Sequence, residues 1–404
     1  MTRSILPSTS KLLDAPKTVA GVALLGYLLI FAAFLNQYGD LRHFIQIGTT
    51  YVNGSQASNV IKIDPTYNYP ENGNGYDGQF SYYIALDPPN ARYYTGKTAY
   101  RYTRILYPMA AKLLSLGVPE WVPFTLVLTN LIAIVIGTWA VAAWCRLRGI
   151  SPWLALVYAF FVGQVIAFTR DLTEPLAYAL VALAIYLFDR WPGRWALSAL
   201  MFALAALARE TVVVFSALYA VALLFRDSSE LGQARRIRNA ALFAIIAIGP
   251  AVAWEGFLWL WLGILGWTQG EGLALIPFSG IWNLYPLPPD KLEVVQVVVL
   301  PGAVCLGVSL WLLWKRVDAR RRVEVWALAA NAMLFVALLP PASLLDLTGS
   351  ARVILGVILG AIYILPFTTR KEWFYLCAGI WLVSSAAYVL NPIIGLLKTI
   401  VPGS

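Results

Sequence analysis

Apolar segments long enough to cross a membrane recur along this chain and are separated by polar connections. Such segments predict membrane-spanning helices, because a helix needs about 20 mostly apolar residues to cross the hydrocarbon core. The expected helices lie near residues 18–36, 119–144, 152–168, 174–189, 195–208, 210–225, 239–262, 294–314, 325–345, 352–367 and 373–390. We therefore predict an all-α polytopic membrane protein with about 11 transmembrane helices, forming a single membrane domain over residues 1–404.

Composition agrees with this interpretation. Hydrophobic residues make up 59% of the 404 residues and charged residues only 13%, and the mean hydropathy is +0.68. The first apolar run, residues 19–35, has no clear small-residue cleavage site, so it predicts a retained helix and not a cleaved signal peptide. Cys145, Cys305 and Cys377 are scattered in or beside predicted spans, which indicates neither a disulfide framework nor a metal site.

Lysine and arginine are concentrated in the connections on one side of the predicted helices. They include Arg3, Lys11 and Lys17 and the basic residues of 146–148, 190–194, 226–238, 315–322 and 370–371. By the positive-inside rule this side, with the N-terminus, is cytoplasmic. The first loop (residues 37–118) and the second loop (residues 263–293) are then expected to face the periplasm of a bacterial cytoplasmic (inner) membrane. Topology thus explains the net charge of +9, and no nucleic-acid partner is expected.

Two local patterns point to a site on the outward side. In the first loop, aromatic and aliphatic residues recur at helical spacing in 80–86 and 102–116, which predicts amphipathic helices lying on the membrane surface. Farther along, Arg209 and Glu210 interrupt an apolar stretch, residues 194–225, that is too short for two complete spans. An unbroken lipid-facing helix would bury both charges at a cost of several kcal/mol, so we predict two short helices meeting at a charged break.

On this topology, charged residues that are far apart in sequence collect at the outer membrane face. They are Asp40, Asp77, Asp87, Arg101, Arg104, Arg170, Asp171, Glu174, Arg209, Glu210, Asp346 and Arg352. Arginine donor forks suit a phosphate or diphosphate, and carboxylates suit a base or the partners of those arginines. The competing interpretation is that these charges only terminate helices at the interface, which is the commoner role of any single loop charge. The second loop, with Trp282 and Tyr285, is expected to cap the cavity.

Several kinds of chemistry are disfavoured by the sequence. His43 is the only histidine, so neither a histidine-based metal cluster nor a Ser-His-Asp triad is expected. There is no Walker motif, no GxGxxG fingerprint and no zinc signature. We therefore expect no required cofactor, and a divalent metal is not implied.

Residues 76–85, Tyr-Asp-Gly-Gln-Phe-Ser-Tyr-Tyr-Ile-Ala, resemble the Trp-Asp-x-x-x-Tyr-x-x-Ile-Ala segment of the second GPI mannosyltransferase family and its bacterial relatives, with Tyr76 in place of the tryptophan. That family belongs to the GT-C superfamily of polyprenyl-phosphate-sugar glycosyltransferases. Residues 104–108 are similar to its aromatic-Pro-Leu-Tyr-Pro segment, and 172–175 to its Tyr-Ser-Glu-Ser segment. Residues 208–211 stand where the family has Arg-Ser-Asn-Gly, and the resemblance covers roughly residues 70–215.

The resemblance implies a GT-C-like bundle that transfers a sugar, with inversion, from a polyprenyl-phosphate donor to a lipid, glycan or protein acceptor among the membrane lipids. It implies Asp77 as the base, with Asp40 as the alternative because many GT-C enzymes carry their acidic residue just after the first helix. The donor phosphate would be bound by Arg209, Arg104 and Arg352. The substrate would be contacted by Glu174, Glu210, Gln79, Tyr82 and Arg170. Glu210 departs from the family segment, which leaves the identity of the sugar open.

Two other functions remain open. A transporter or flippase of an amphipathic anionic lipid would line its path with the same arginines. Against it, the sequence shows no repeated half and no matched pair of broken helices. An oligosaccharide polymerase or ligase with a diphosphate-linked donor would share the large loop and the arginines, but such proteins usually place that loop later in the chain.

Overall fold

The computed structural model describes residues 15–52, 57–69, 73–225, 232–284, 286, 288 and 291–401, and the chain is helical without a strand over these ranges. Four residues used in the sequence interpretation lie outside the described residues. They are Arg3, Lys11, Arg226 and Tyr285.

The first helix leads into a compact first loop. Helix α1 begins at a proline in its first turn and ends at Gly39, whose φ of 73° suits glycine. The helices of this part are α1 (Pro16–Tyr38), α2 (Arg42–Ile45), α3 (Thr49–Val52), α4 (Gly78–Leu86), α5 (Thr98–Tyr102) and α6 (Leu106–Leu114). The predicted helix at 80–86 is found as α4, whereas the one predicted at 102–116 is interrupted, because α5 ends before α6 begins.

Helix α4 corrects the prediction of a helix lying on the membrane surface. Eight of its nine residues are buried. Phe80, Tyr83 and Ile84 pack with Tyr94 and Tyr107 in an apolar core formed mainly by the first loop, to which the long helices add Val122, Leu126 and Leu258. The aromatic residues that suggested a membrane-facing stripe are therefore satisfied by one another, since burying them inside the loop removes their apolar area from water equally well.

The middle of the chain forms packed helical hairpins. Its helices are α7 (Val122–Leu147), α8 (Ala155–Ala159), α9 (Val162–Thr169), α10 (Glu174–Arg190), α11 (Trp195–Ala208), α12 (Val213–Ala222) and α13 (Gln233–Leu262). Arg209 has an extended backbone between α11 and a single 3-10 turn, Glu210–Val212, that precedes α12. This confirms the predicted charged break. Because α10 and α11 are antiparallel neighbours, the start of α10 and the end of α11 lie at the same end of the bundle.

The last part completes the bundle. Its helices are α14 (Ser279–Trp282), α15 (Leu292–Val294), α16 (Leu300–Lys315), α17 (Val323–Ala332), α18 (Leu347–Val353), α19 (Leu355–Tyr363) and α20 (Glu372–Ile400). Two π-helical turns, Val295–Val299 and Met333–Ala337, adjoin α16 and α17. The main apolar core joins these helices to the middle hairpins, and it buries all three cysteines, which are unpaired.

The helices support a multi-pass membrane protein. Among the described residues, five helices are long and apolar enough to cross a membrane, or up to seven if each of two bent pairs is one span. The five are Pro16–Tyr38, Pro119–Leu147, Gln233–Leu262, Leu292–Lys315 and Glu372–Ile400. Several remaining apolar helices are shorter than a complete span, so the count of about 11 stays a prediction.

The structure contains two bent helix pairs that were predicted as single helices at 152–168 and 352–367. Within the described residues, Pro152–Ala159 and Val162–Thr169 meet at 52°, and Leu347–Val353 and Leu355–Phe367 meet at 41°. Helix α9 of the first pair packs on α18 of the second. A Cβ atom on Gly163 would lie 2.5 Å from the carbonyl oxygen of Ala351, so only glycine permits this approach. Short pieces of this kind carry no local sequence signal distinguishing them from continuous helices.

Candidate functional site

Asp77 is positioned by a turn that presses against two other segments. The backbone N–H of Tyr76 donates to the carbonyl oxygen of Gln46 at 2.8 Å, and Gly75 has a φ of 63°. A Cβ atom on Gly78 would lie 2.3 Å from the carbonyl oxygen of Arg170. Gly75 therefore allows the turn to approach the Gln46 segment, and Gly78 allows it to approach the connection between α9 and α10.

The Asp77 carboxylate lies between two guanidinium groups. Its Oδ1 is 2.9 Å from Nη1 of Arg101, on α5, and its Oδ2 accepts a hydrogen bond of 2.7 Å from Nη2 of Arg352, on α18. The Asp77 side chain is 23% exposed. Burial alone raises the pKa of this carboxyl, but Arg352 and Arg101 outweigh burial and hold the pKa well below its usual range. Asp77 is therefore ionised and weakly basic in this arrangement.

A second ion pair lies deeper between the helices. Glu174, in the first turn of α10, is 2.6 Å from Arg209 at the break after α11, and the two side chains are 0% and 5% exposed. A carboxylate in the first turn of a helix is also favoured by the helix dipole. Glu174 lies 3.5 Å from Arg352 as well, so it connects this pair to Asp77.

The third pair joins the first loop to the charged break. Nε and Nη2 of Arg104 donate to the two carboxylate oxygens of Glu210 at 3.0 and 2.7 Å, which is the bidentate geometry of a strong charge-assisted pair. Arg104 also donates to the hydroxyl of Tyr100. The residues linked in this way are named the Asp77 cluster and comprise Asp77, Arg101, Arg104, Glu174, Arg209, Glu210 and Arg352.

The charges of the Asp77 cluster do not balance. Its four arginines face three carboxylates, and the surplus lies at Asp77, where two guanidinium groups share one carboxylate. The cluster borders a cavity of about 20 Å³, also lined by Phe80, Ser81, Leu172 and Thr173. A space of this size holds about one water molecule, so a larger ligand enters only if a lining side chain changes its position.

The predicted substrate-binding residues do not all join this cluster. The Arg170 guanidinium lies 4.3 Å from the centre of the ring of Tyr76, the residue that precedes Asp77. Gln79 is buried, and its amide bonds the backbone of Gly48 and Asn74, so it holds the turn in place. Tyr82 lines a different cavity, together with Arg42 and other tyrosines of the first loop.

Asp40, the alternative base, lies beside the cavity that Tyr82 lines, where it pairs with Arg42. Nε of Arg42 donates to Asp40 at 2.8 Å, and Arg42 also pairs with Asp64. Burial raises the pKa of Asp40, but its hydrogen bonds with Arg42 outweigh burial and lower it. Asp40 has no contact with the Asp77 cluster among the described interactions.

Two more of the charges expected at the outer face are used elsewhere. Asp87 accepts hydrogen bonds from Ser58 and Asn90. Asp346 caps α18 by accepting from the backbone N–H of Gly349 at 2.6 Å. Both carboxylates therefore hold local turns and make no ion pair with the cluster among the described contacts, although the charge of Asp346 also attracts Arg352.

The second loop contacts the segment that carries Arg101. Glu271 pairs with Lys97 at 2.8 Å, and the Gln269 side chain accepts from the backbone N–H of Tyr100 at 3.2 Å. Trp282, by contrast, is 76% exposed. The part of this loop near residue 270 thus braces α5 against the bundle.

Arg101 is the member of the cluster to which the sequence interpretation assigned no role. Its guanidinium group lies 4.2 Å from the centre of the Phe80 ring as well as beside Asp77. No local pattern distinguishes it from the other loop arginines, because Arg104 lies beyond the end of α5 and the two residues do not share a helix face. In the described part of the chain, no three His, Cys, Asp or Glu side chains are grouped as metal ligands.

A larger cavity lies at the opposite end of the bundle. It measures about 720 Å³ and is lined by Leu147, Arg148, Phe188, Asp189, Ala222, Phe225, Asp318, Arg321, Arg322, Val323 and Glu324. Arg148 pairs with Asp189 at 2.5 Å and with Glu324 at 3.1 Å. Its lining holds three arginines and three carboxylates, whereas arginines outnumber carboxylates in the Asp77 cluster.

Neither a scan of protein-family models nor a search of the curated proteins finds a match to this chain.

Proposed function

We propose that this protein is a membrane glycosyltransferase of the GT-C type, acting at the outer face of a bacterial inner membrane. It transfers one sugar, with inversion, from a polyprenyl-phosphate-linked donor to a lipid, glycan or protein acceptor. The supporting observation is the Asp77 cluster, in which a carboxylate stands beside a surplus guanidinium group at one end of a bundle of apolar helices.

The charge of the cluster suits a phosphodiester. With the three carboxylates ionised, four arginines leave a net charge of +1, and a sugar linked through one phosphate to a lipid carries −1. Guanidinium forks bind phosphate oxygens through paired N–H donors. In our proposal Arg101 and Arg352 hold the phosphate, while Glu174 and Glu210 orient Arg209 and Arg104 around it.

The total charge of the cluster and the bound phosphate stays constant through the proposed reaction. The acceptor hydroxyl loses its proton to Asp77 as its oxygen forms a bond to C1 of the sugar. The bond between C1 and the phosphate oxygen breaks, and that oxygen keeps the electron pair. The phosphate changes from −1 to −2 while Asp77 changes from −1 to neutral. Arginines placed around the leaving phosphate stabilise the charge that develops there.

A transporter of an anionic lipid is the second candidate, and the two broken helices favour it. Discontinuous helices line the substrate sites of many transporters. Arg352 lies at the break between α18 and α19, and α9 of the other broken pair packs against α18. In that function the arginines would accompany a lipid phosphate and no bond would break.

Transfer of radiolabelled sugar tests the proposal. Purified protein would receive a panel of polyprenyl-phosphate sugars with membrane extract as the source of acceptors. We expect the wild type to transfer label and Asp77→Asn to lose at least about 100-fold in rate, since a positioned base contributes about that much or more. Asp87→Asn, which removes a carboxylate from the same loop outside the cluster, is the matched control and should keep its activity.

Asp40→Asn completes the comparison. If only this variant were inactive, the enzyme class would stand and Asp40 would replace Asp77 as the base. Absence of transfer with every donor, together with movement of donor lipid across vesicles, would reject the enzyme and favour the transporter.

A further inference from the structure

The Asp77 carboxylate binds Arg101 and Arg352 in the way that a phosphate would. One oxygen faces Arg101 at 2.9 Å and the other faces Arg352 at 2.7 Å, so the two oxygens of one anion bridge two guanidinium groups. Two non-bridging oxygens of a phosphate ester can make the same contacts. These arginines come from α5 and α18, which are joined here chiefly through this anion.

We propose that the Arg101–Arg352 pair is a binding site for a phosphate ester, that the Asp77 carboxylate is its resting occupant, and that the incoming phosphate displaces it. This inference rests on the proposed function, because the displaced carboxylate is the base of that reaction.

The arginines are held in place, which makes displacement of the carboxylate the simpler change. Arg101 stacks on Phe80, and Arg352 contacts both Glu174 and the Tyr76 ring. The cavity beside them, about 20 Å³, has no room for a phosphate group next to the carboxylate. A phosphate therefore reaches both arginines only by taking the position of the Asp77 side chain.

Displacement also resolves a difficulty in the proposed chemistry. Two guanidinium groups hold the pKa of Asp77 well below its usual range, so the carboxylate is a poor base while it is paired. Once the phosphate takes these donors, the pKa of Asp77 rises toward that of an ordinary aspartate. Asp77 then becomes an effective base only when the donor lipid is bound. It therefore does not accept a proton from the acceptor before the donor is present.

The test uses an unreactive probe, a phosphodiester of farnesol and methanol, which carries one charge and no sugar. Its binding to protein in detergent would be measured by calorimetry at pH 7. Removing the resting occupant with Asp77→Asn should tighten binding about ten-fold or more, the effect of losing one competing charge-assisted hydrogen bond. Arg101→Gln and Arg352→Gln should each weaken it by a similar factor, and Asp87→Asn should leave it unchanged.

A pH series distinguishes displacement from simple addition of the phosphate beside Asp77. Because binding raises the pKa of Asp77 toward that of an ordinary aspartate, the complex takes up a proton, and wild-type affinity should increase as the pH falls from about 5 to 3. The probe does not titrate in this range, and Asp77→Asn should show a flat profile. The charged groups facing Asp77 are Arg101, Arg104 and Arg352. Beside these lie Glu174, which contacts Arg352, Arg170, which lies over the Tyr76 ring, and Asp346, whose charge interacts with Arg352.

Two results would overturn the inference. Equal or weaker binding by Asp77→Asn, with the thermal unfolding transition preserved, would mean that the carboxylate does not compete with the phosphate. Tighter binding with a pH-independent wild-type affinity would mean that the phosphate binds beside Asp77 without displacing it. Both outcomes are measured without turnover, so they can be separated from the test of the proposed function. Tighter binding by Asp77→Asn without sugar transfer by the wild type would support the anion site and reject the glycosyltransferase. Sugar transfer without competition by Asp77 would support the glycosyltransferase and reject displacement.

Discussion

Arg209 and Glu174 place two opposite charges almost entirely out of contact with solvent, 2.6 Å apart between α10 and α11. At the scale of single residues, each of these charges depends on the other. A buried pair is weak proof of net stabilisation, but removing one partner leaves an uncompensated buried charge. Glu174 retains a second, longer contact with Arg352, whereas Arg209 has Glu174 as its ion-pair partner among the described contacts.

We predict that Glu174→Gln lowers the free energy of unfolding by about 3 kcal/mol, because Arg209 is left buried without its counter-charge. The measurement is thermal or denaturant unfolding in detergent. Lys97→Gln is the matched control, because it breaks the Lys97–Glu271 pair, which is about half exposed and worth at most about 1 kcal/mol. Equal stabilities of the two variants would show that burial of the Arg209–Glu174 pair does not matter.

At the scale of elements, the broken helices determine where Arg352 lies. Helix α18 ends at Val353, and its close packing on α9 requires the absence of a side chain at Gly163. Irregular backbone of this kind is tolerated within a membrane protein only where it is enclosed by protein or lines a cavity. The contact between two short helices therefore carries the guanidinium group of Arg352 to Asp77.

Gly163→Ala should consequently impair the site at a distance. Its added Cβ would lie 2.5 Å from the Ala351 carbonyl oxygen, which forces α18 and Arg352 away from α9. We expect sugar transfer to fall at least about ten-fold and stability to decrease by about 1–3 kcal/mol, as in other overpacked interiors. The comparison is Gly256→Ala in α13, where the new Cβ meets nothing within 4 Å and helix propensity favours alanine. Unchanged transfer by Gly163→Ala would contradict this account of how Arg352 is positioned.

At the scale of the whole molecule, orientation in the membrane is a prediction from the distribution of lysine and arginine. Single cysteines can test it, because Cys145, Cys305 and Cys377 are buried and can be replaced to remove residual labelling. Thr66, in the first loop, and Asp318, in the connection between α16 and α17, are both exposed.

We expect Thr66→Cys to react with a membrane-impermeant maleimide in spheroplasts, whereas Asp318→Cys should react only after the membrane is permeabilised. The opposite pattern would place the Asp77 cluster on the cytoplasmic side and reject a polyprenyl-phosphate donor presented from outside. Labelling of both positions without permeabilisation would contradict any topology that separates the two ends of the bundle.

The sequence alone was sufficient for the helical class, for the five long apolar helices and for the charged break at Arg209. These features depend on local composition, because a backbone surrounded by lipid must satisfy its own hydrogen bonds and an unpaired charge cannot remain in an apolar helix. The motif around Asp77 was also visible locally, since it combines a carboxylate, glycine and aromatic residues in a polar loop.

Only the tertiary structure decided which charges meet. Asp77 pairs with Arg352, which is 275 residues away, and with Arg101, while Asp40 is paired within its own part of the first loop. The burial of α4 and the two broken helices were likewise invisible in the chain. Such contacts are set by how helices pack against one another, and the apolar pattern that specifies each helix says which face is buried but not which partner covers it.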